Sequence, residues 1–523
     1  MPYRPHLGAA NGQAPFKPYP LQWQFPLIGL GVGLFWSLTT VRLDGLSIFA
    51  FVVLFTIYGV LWIRDDPPIL AFCLGVQWVS VSSGYLFYQV AGFFPGRAVP
   101  GNLPGALLLA LLGLLCLAIG IRMALRIVRD PLIRLRAREE ALSPRYEVRA
   151  LFWCVIALFT VNWVMDIFPR VIFFNAAEFI GSLLEFRNVF LCLLFLVILK
   201  QGRGYHLGLI AFLYAAVPLL GNKHVKVFEV FFLLIVALLA EWRPWWRSTL
   251  AFWRNLRIGL GAVVTVFAVL VMAAFWQERV KATWRDMLDT GVVSGSPLER
   301  VQVFARVVKT AAEQWDAPSQ STQLLPGESF AQRAAGIYYF THVLDRVPSV
   351  TAHENGALAL RAFVHTVKPR ILFPEKPILP SSSWLIRKYT GQRAAAEESN
   401  TSIGMSYMAE FYIDFGPVGM LIALVLGGAL VGMCYAGVQL VSPSCAFARA
   451  AVIPLFLDPF ASFEGETTYL LGGLMNRWLV FMVLMWLFGA TFHRWLQEPR
   501  VAARLPHVAP QTLDRTTAPA LRT

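Results

Sequence analysis

Long apolar runs separated by short polar connections dominate the sequence. About twelve of these runs reach the length of roughly 20 residues that a helix needs to cross a lipid bilayer. The pattern therefore predicts an all-α integral membrane protein with about twelve transmembrane helices. The runs begin near Trp23, Asp44, Pro67, Asn102, Ala150, Ala177, Gly204, Val225, Leu256, Gly416, Cys445 and Tyr469.

A long polar stretch interrupts the apolar runs between the ninth and tenth predicted helices. The chain then divides into a tail over 1–22, helices one to nine over 23–276, a large loop over 277–404, helices ten to twelve over 405–495, and a disordered tail over 496–523. Apolar residues at helical spacing predict short helices inside the loop. They include Val301, Phe304, Val308 and Ala311, then Phe330, Ala334, Ile337 and Tyr338. Another possible helix starts after Glu354 and carries Leu358, Arg361 and His365.

Four prolines follow these short helices, at Pro369, Pro374, Pro377 and Pro380. Proline removes a backbone donor and restricts the residue before it, so the segment from Val367 is predicted to be irregular until an apolar helix begins near Met405.

Lysine and arginine residues in the short connections predict the orientation. They concentrate after the fourth, sixth and eighth helices, and cytoplasmic connections are the ones enriched in these residues. Both termini are then cytoplasmic, and the loop over 277–404 faces outward, which in a bacterium is the periplasmic side of the inner membrane. The basic residues are Arg126, Arg129, Arg134, Arg136, Arg138, Arg145 and Arg149, then Lys200 and Arg203, then Arg243, Arg247, Arg254 and Arg257.

Composition agrees with a membrane protein. Hydrophobic residues make up 57% of the chain and charged residues 15%, whereas soluble domains carry about 25% charged residues. The net charge of +14 is typical of basic cytoplasmic loops and does not indicate nucleic-acid binding. The six cysteines form no CxxC or Cys/His cluster, and no metal or other cofactor is predicted.

Charged residues within apolar runs are costly and tend to serve function. Glu410 and Asp414 lie four residues apart and share a helix face, whereas Glu185 and Arg187 point to different faces. The alternative is that such residues sit at helix ends or pair with one another for packing. The candidates are Asp166, Glu185, Arg187, Glu229, Glu410, Asp414, Asp458 and Arg477.

Cations also crowd the end of the predicted periplasmic loop. Between Arg361 and Gly404 there are seven lysines and arginines against three glutamates, a balance of 7 − 3 = +4. Arginine forks bind phosphate oxygens in pairs, and such groups can stabilise a pyrophosphate leaving group without a metal. The alternative is contact with anionic lipid headgroups.

Two motifs in this region resemble those of the Wzy-type polymerases of O-antigen and exopolysaccharide repeat units. In that family a PR-aromatic-x-P-x-KP segment precedes T-S-x-x-G and E-x-Y-x-x-F-G-x-x-G. A turn of the form G-x-R also resembles GNK here, with Lys223 in place of arginine, and two Arg-x10-Gly spacings run from Arg170 to Gly181 and from Arg393 to Gly404. The motif residues are Pro369, Arg370, Phe373, Pro374, Lys376, Pro377, Thr401, Ser402, Gly404, Glu410, Tyr412, Phe415, Gly416 and Gly419.

The resemblance implies a metal-independent glycosyltransferase that polymerises undecaprenyl-pyrophosphate-linked repeat units at the periplasmic face. The implied partners are that lipid-linked glycan, membrane lipids, a chain-length regulator and a flippase, and no nucleic acid. The expected catalytic residues are Arg370, Glu410, Arg187 and Lys223. The expected substrate-binding residues are Arg170, Lys376, Arg393, Asn400, Ser402, Tyr412 and Asp414.

Two other functions remain open at this point. An O-antigen ligase shares the topology and the lipid-linked donor, but that family places a histidine before the tenth helix, where NTSIGMSYMAE has none. A secondary transporter is the non-enzyme alternative, although such folds show two related halves and this sequence shows none.

Overall fold

The computed structural model of the chain describes residues 24–40, 44–62, 68–95, 99–128, 146–167, 183, 185–222, 280, 297–313, 334–368, 373, 375–376, 379–392 and 404–497. Fourteen α-helices lie within these residues. They are α1 (Gln24–Thr39), α2 (Gly45–Leu61), α3 (Ile69–Ala91), α4 (Leu103–Val128), α5 (Val148–Ile167), α6 (Phe186–Gln201), α7 (Tyr205–Asn222), α8 (Pro297–Glu313), α9 (Tyr338–Arg346), α10 (Ala357–Val367), α11 (Ser382–Thr390), α12 (Tyr407–Val441), α13 (Cys445–Ala461) and α14 (Thr467–Leu496).

The predicted all-α class is confirmed, and the protein has helices suited to a membrane. Among the described residues, four helices are both long and apolar enough to cross a bilayer, namely α3, α4, α12 and α14. Six other predicted spans correspond to α1, α2, α5, α6, α7 and α13, which do not meet both criteria over the described residues. The predicted helices near Val225 and Leu256 lie outside the described residues, as do 1–22 and 498–523.

Three short helices, α9, α10 and α11, cover one end of the helix bundle. We call residues 334–368 and 379–392 the cap, and the covered end the cap end. At this end α12 and α14 begin, and α13 ends. Ser83 Oγ donates a hydrogen bond to the Ala334 carbonyl at 2.9 Å, and the Tyr338 ring lies 6.0 Å from that of Phe94. The cap therefore also packs on the end of α3 and the turn after it.

The opposite end of the bundle joins α5, α6, α13 and α14. Tyr146 forms an isolated antiparallel bridge with Gln497, its hydroxyl lies 2.5 Å from Ser444 Oγ, and its carbonyl accepts a hydrogen bond from Gln201 Nε2. The last helical turn of α4, which leads into the arginine-rich connection, also ends away from the cap. The cap and the last turn of α4, which carries Arg126, are thus at opposite ends of the bundle.

Glycines bring α4 and α12 into close contact. Side chains at Gly120, Gly428 and Gly432 would collide with the backbone of the facing helix, since a Cβ on Gly428 would lie 3.0 Å from the Leu117 carbonyl carbon. Small residues at a helix interface allow close backbone approach, which drives association where lipid supplies no hydrophobic force between helices.

Helix α12 begins earlier than the apolar run predicts. It begins at Tyr407, close to the predicted helix start near Met405, and only bends at Gly416, where the apolar run begins. Ser406 Oγ caps the new start by accepting from the Met408 N–H at 3.2 Å. Gly416 has φ 69° and ψ −174° and precedes Pro417. This positive φ suits glycine, and proline cannot continue the hydrogen-bond ladder.

The proline-containing segment after Val367 also holds a helix that the sequence reading missed. Helix α11 begins after Ser381, whose side chain accepts from the Trp384 N–H at 3.2 Å, and ends at Gly391 in the left-handed conformation. Both are common helix-capping signals. The predicted helix through Val301 is confirmed by α8 and the one through Leu358 by α10, whereas α9 begins only at Tyr338.

Alanine substitution should affect stability differently at Gly428 and at its neighbour Gly427. Gly428→Ala is expected to lower the midpoint of thermal unfolding in detergent, because overpacking costs roughly 1–3 kcal/mol or more. Gly427→Ala is the matched control: its Cβ would meet nothing within 4 Å, and alanine favours the helix by up to about 1 kcal/mol. Equal midpoints for the two variants would contradict the proposed close contact.

Candidate functional site

The first turns of α12 form the junction between the cap and the bundle, and they carry Glu410, Tyr412 and Asp414. Glu410 is 5% exposed, and its Oε2 accepts a hydrogen bond from the Thr467 N–H at 2.9 Å. Thr467 is the first residue of α14. The carboxylate thus lies at a helix N-terminus, where orphan amides and the helix dipole favour negative charge.

Asp414 plays the same part for the cap helix α10. It is 1% exposed, and its two oxygens accept from the N–H groups of Leu358 at 3.1 Å and Ala359 at 2.7 Å. The residue before this helix, Gly356, has no side chain to cap it. One turn of α12 thus presents carboxylates to the first turns of two different helices.

The bend in α12 supplies a further attachment point. Pro417 has no N–H, so the carbonyl of Ile413, four residues earlier, has no helical partner. The Glu354 N–H donates to it at 3.0 Å, and His353 Nδ1 lies 3.1 Å from the same oxygen. Tyr412 completes the attachment by donating its hydroxyl proton to the Val347 carbonyl at 3.1 Å.

A polar cluster in the cap lies next to this attachment. Glu354 Oε1 accepts from Lys388 Nζ at 2.6 Å and from the Tyr389 hydroxyl at 2.7 Å. The ammonium group of Lys388 also lies 5.3 Å from the ring centre of Trp384 and 4.7 Å from that of Tyr389. This cation is therefore held by a carboxylate and by the faces of two aromatic rings.

Mutual stabilisation in this cluster shifts all three pKa values. The hydrogen bond from Lys388, followed by that from Tyr389, lowers the pKa of the Glu354 carboxyl. Burial, the largest single effect, would lower the pKa of Lys388, but the hydrogen bonds and charge interactions with Glu354 and Tyr389 together outweigh it and raise the pKa. Burial and then the bond to Glu354 raise the pKa of Tyr389 to about 12. The cluster is thus a charged carboxylate and ammonium with a neutral phenol.

A further acid lies at the junction, on the turn before α14. Glu466 is close enough to Glu410 for the two carboxyls to repel each other. Burial raises the pKa of Glu466, and a hydrogen bond with the Ser382 side chain offsets part of that shift. The sequence reading missed Glu466 and Glu354 because neither falls within the resembling motifs or the apolar runs.

Arg187 lies elsewhere, in the body of the bundle. It is 9% exposed, donates a hydrogen bond to Asn162 Oδ1, and its guanidinium lies 5.4 Å from the Phe159 ring centre. The neighbouring Glu185 instead faces Arg477 of α14 at 4.0 Å, so the two side chains point to different faces, as predicted.

Arg187 lies deeper in the bundle than the junction does. Its near neighbour Glu185 faces Arg477, which lies ten residues beyond Thr467, or about 15 Å along α14 at 1.5 Å per residue. Arg477 also pairs with Asp458 of α13. These ionic contacts neutralise charge inside the bundle. Among the described contacts, none brings Arg187 to Glu410, so the structure gathers Glu410, Tyr412 and Asp414 but leaves Arg187 apart.

Lys376 is the remaining expected site residue within the described part of the chain. It is buried, and its backbone N–H donates to the Phe373 carbonyl at 3.1 Å. Six other expected residues lie outside the described residues. They are Arg170, Lys223, Arg370, Arg393, Asn400 and Ser402.

Comparison with known proteins gives one match. A family model described as a domain of unknown function (DUF8712) matches residues 309–438. No curated protein and no solved structure matches the chain. The matched stretch begins in α8, includes the cap, and ends near the end of α12. It therefore contains the two sequence motifs and the part of the junction formed by the cap and α12, but not Glu466 and Thr467.

The Asp414 contact should hold the cap in place. Asp414→Ala is expected to destabilise the folded protein by about 1–2 kcal/mol, the usual cost of losing a helix cap, and to speed proteolysis within the cap. The stability of Asp414→Asn should lie between those of the wild type and Asp414→Ala, because one oxygen acceptor remains. Asp345→Ala, which removes an exposed carboxylate of α9, is the control. An Asp414→Ala protein as stable as this control would contradict the contact.

The Glu354 cluster should make the cap sensitive to acid. Because the folded pKa of Glu354 is lowered from its ordinary value of 4.5, its stabilisation is present above pH 4.5 and is lost as the pH falls through the folded pKa. Thermal unfolding of Glu354→Gln should therefore depend less on pH in this acidic range than that of the wild type. Tyr389→Phe, which keeps the ion pair, should retain the dependence, and identical acid profiles for all three proteins would refute the assignment.

Proposed function

We propose that the chain is a bacterial inner-membrane glycosyltransferase that polymerises undecaprenyl-pyrophosphate-linked oligosaccharide repeat units into O-antigen or exopolysaccharide. In this proposal the chain crosses the membrane about twelve times, the cap end faces the periplasm, and both termini lie in the cytoplasm. A chain-length regulator and a flippase would work with it.

The observation that carries the proposal is the place in the fold of the resembling motif that begins at Glu410. The segment with Glu410 and Gly416 begins a long apolar helix, and the cap folds over that beginning. The arginine-rich connection starts at the opposite end of the bundle. A polar junction at the end predicted to face the periplasm suits a donor whose pyrophosphate lies at the membrane surface and whose lipid tail lies in the bilayer.

The proposed reaction needs one new bond and one broken bond. A hydroxyl oxygen of the acceptor sugar attacks the anomeric carbon of the donor glycan and forms the glycosidic bond. The bond from that carbon to the pyrophosphate oxygen breaks, and the lipid pyrophosphate leaves with the electron pair. A carboxylate takes the hydroxyl proton. Cations beside the leaving group stabilise its growing negative charge.

The residues take four roles in this proposal. Arg370 and Lys223 bind the pyrophosphate, supported by Arg170, Lys376 and Arg393, while Asn400 and Ser402 bind sugar hydroxyls. Glu410 receives the proton, and Glu466 is a second carboxylate for that role, because a carboxyl with a raised pKa is a better base. The described bonds of Tyr412 and Asp414 are to the cap backbone, so we assign both to positioning. Arg187 is left out because of its depth.

The glycan pattern of a strain that lacks the gene tests the reaction. Single repeat units should still reach the final acceptor, while longer chains disappear from the gel. Long chains that accumulate on the lipid carrier, with a bare final acceptor, would instead identify a ligase. An unchanged pattern would refute both activities and leave a transporter or another function.

Complementation of that strain tests the role of Arg370. Arg370→Lys should yield at least about tenfold less long-chain glycan, because lysine keeps the charge but lacks the fork that binds two phosphate oxygens. Arg449→Lys, on α13 near the end opposite the cap, should restore normal chains at the same protein level on an immunoblot. Full restoration by Arg370→Lys would remove Arg370 from the reaction.

A further inference from the structure

The cap helix α10 exposes an apolar face. Its exposed residues Leu360, Phe363, Val364 and Val367 have exposed fractions of 63%, 58%, 40% and 59%. Their spacing of three, four and seven residues places them on one side of the helix. The opposite side, with Leu358 and Ala362, is buried against the protein. The helix is therefore apolar on two sides, and only the side with Leu358 and Ala362 is covered by the rest of the described protein.

The contacts at the two ends of α10 show how it lies on the bundle. Its first turn binds Asp414, four residues or about 6 Å beyond Glu410 along α12. Near its last turn, Thr366 Oγ1 lies 3.7 Å from the Cβ position of Gly472, five residues or about 8 Å beyond Thr467 along α14. Since Glu410 and Thr467 are hydrogen-bonded, the two ends of α10 are at similar depths, and the helix runs across the bundle.

Because α12 bends at Gly416, the length of α14 is the better measure of this depth. Helix α14 has 30 residues, so it spans about 45 Å at 1.5 Å per residue. A hydrocarbon core of about 30 Å, centred on α14, begins about 8 Å from the start of that helix. Gly472 lies about 8 Å from the same start, and the two ends of α10 are at similar depths, so α10 lies at the boundary of the hydrocarbon core.

Two cationic residues beside the apolar face, and apolar residues that continue it along α12, also support a position of α10 at the hydrocarbon boundary. Arg361 and Lys368 are exposed, and their spacing of seven residues puts them together along one edge of the apolar face. Long cationic side chains at such an edge reach lipid phosphates while their stems stay in apolar surroundings. Beyond the first turn of α10, exposed Phe415, Val418 and Ile422 continue the apolar surface down α12.

We propose that α10 lies in the plane of the membrane, with Leu360, Phe363, Val364 and Val367 immersed in the acyl chains of one leaflet and Arg361 and Lys368 at its headgroups. Part of the stretch predicted to be a polar periplasmic loop is then a lipid-embedded helix, which fixes the cap to the bilayer surface. This inference concerns a lipid-binding surface and does not depend on the proposed glycosyl transfer.

Cysteine labelling tests this placement, with two positions of one helix as a matched pair. Phe363→Cys and Arg361→Cys are compared in nanodiscs that hold one protein copy, with a membrane-impermeant maleimide. A thiol in apolar surroundings stays protonated and unreactive, so Phe363→Cys should react at least about tenfold more slowly than Arg361→Cys. Leu360→Cys should behave like Phe363→Cys, and all three should react fully after unfolding in SDS. The wild type, whose described cysteines are all buried or half-buried, sets the background.

Equal labelling rates for Phe363→Cys and Arg361→Cys in single-copy nanodiscs would overturn the proposal. If Phe363→Cys were protected only in liposomes crowded with protein, the apolar face would be covered by a second copy of the chain, and lipid immersion would again be refuted. Slow labelling of both Phe363→Cys and Leu360→Cys in single-copy nanodiscs is the result that supports it.

Discussion

Two carboxylates on one turn of α12 join that helix to α14 and to the cap. Glu410 accepts from the first amide of α14, and Asp414 accepts from two amides at the start of α10. Amides at a helix N-terminus have no partner within their own helix, and buried ones need an acceptor from elsewhere. A buried carboxylate likewise needs donors. The carboxylates therefore supply the acceptors that these amides need, and the amides supply the donors that the carboxylates need. These contacts join the cap, α12 and α14 into one unit.

The bend in α12 likewise leaves a backbone group that needs a hydrogen-bond partner from outside the helix. Pro417 leaves the Ile413 carbonyl without a helical donor, and Gly416 adopts the positive φ that turns the chain. The cap supplies the missing donor through the Glu354 N–H. Glu354 then uses its side chain to hold Lys388 and Tyr389 of α11. An interruption of one helix thereby positions two others, and the polar junction owes its shape to this break.

Close packing of the bundle makes this attachment possible. Gly120, Gly428 and Gly432 let α4 and α12 approach closely, which fixes the direction of α12 up to its bend. Deeper in the bundle, Arg477 pairs with Asp458 and lies 4.0 Å from Glu185. Opposite charges thus lie together in the interior, whereas the carboxylates of the cap end bind helix amides.

The sequence by itself determined the helical class, the membrane character, most helix positions and the segment around Glu410, because apolar periodicity and composition are local properties. It also separated the faces of Glu185 and Arg187 and located α10. Only the tertiary structure decided that Asp414 and Tyr412 hold the cap, that Arg187 lies far below Glu410, and that Glu354 and Glu466 join the junction. Those outcomes depend on which helix ends pack together although they are far apart in sequence. Close contacts at glycines and backbone amides at helix starts determine that packing, and a pattern of apolar and polar residues reveals neither.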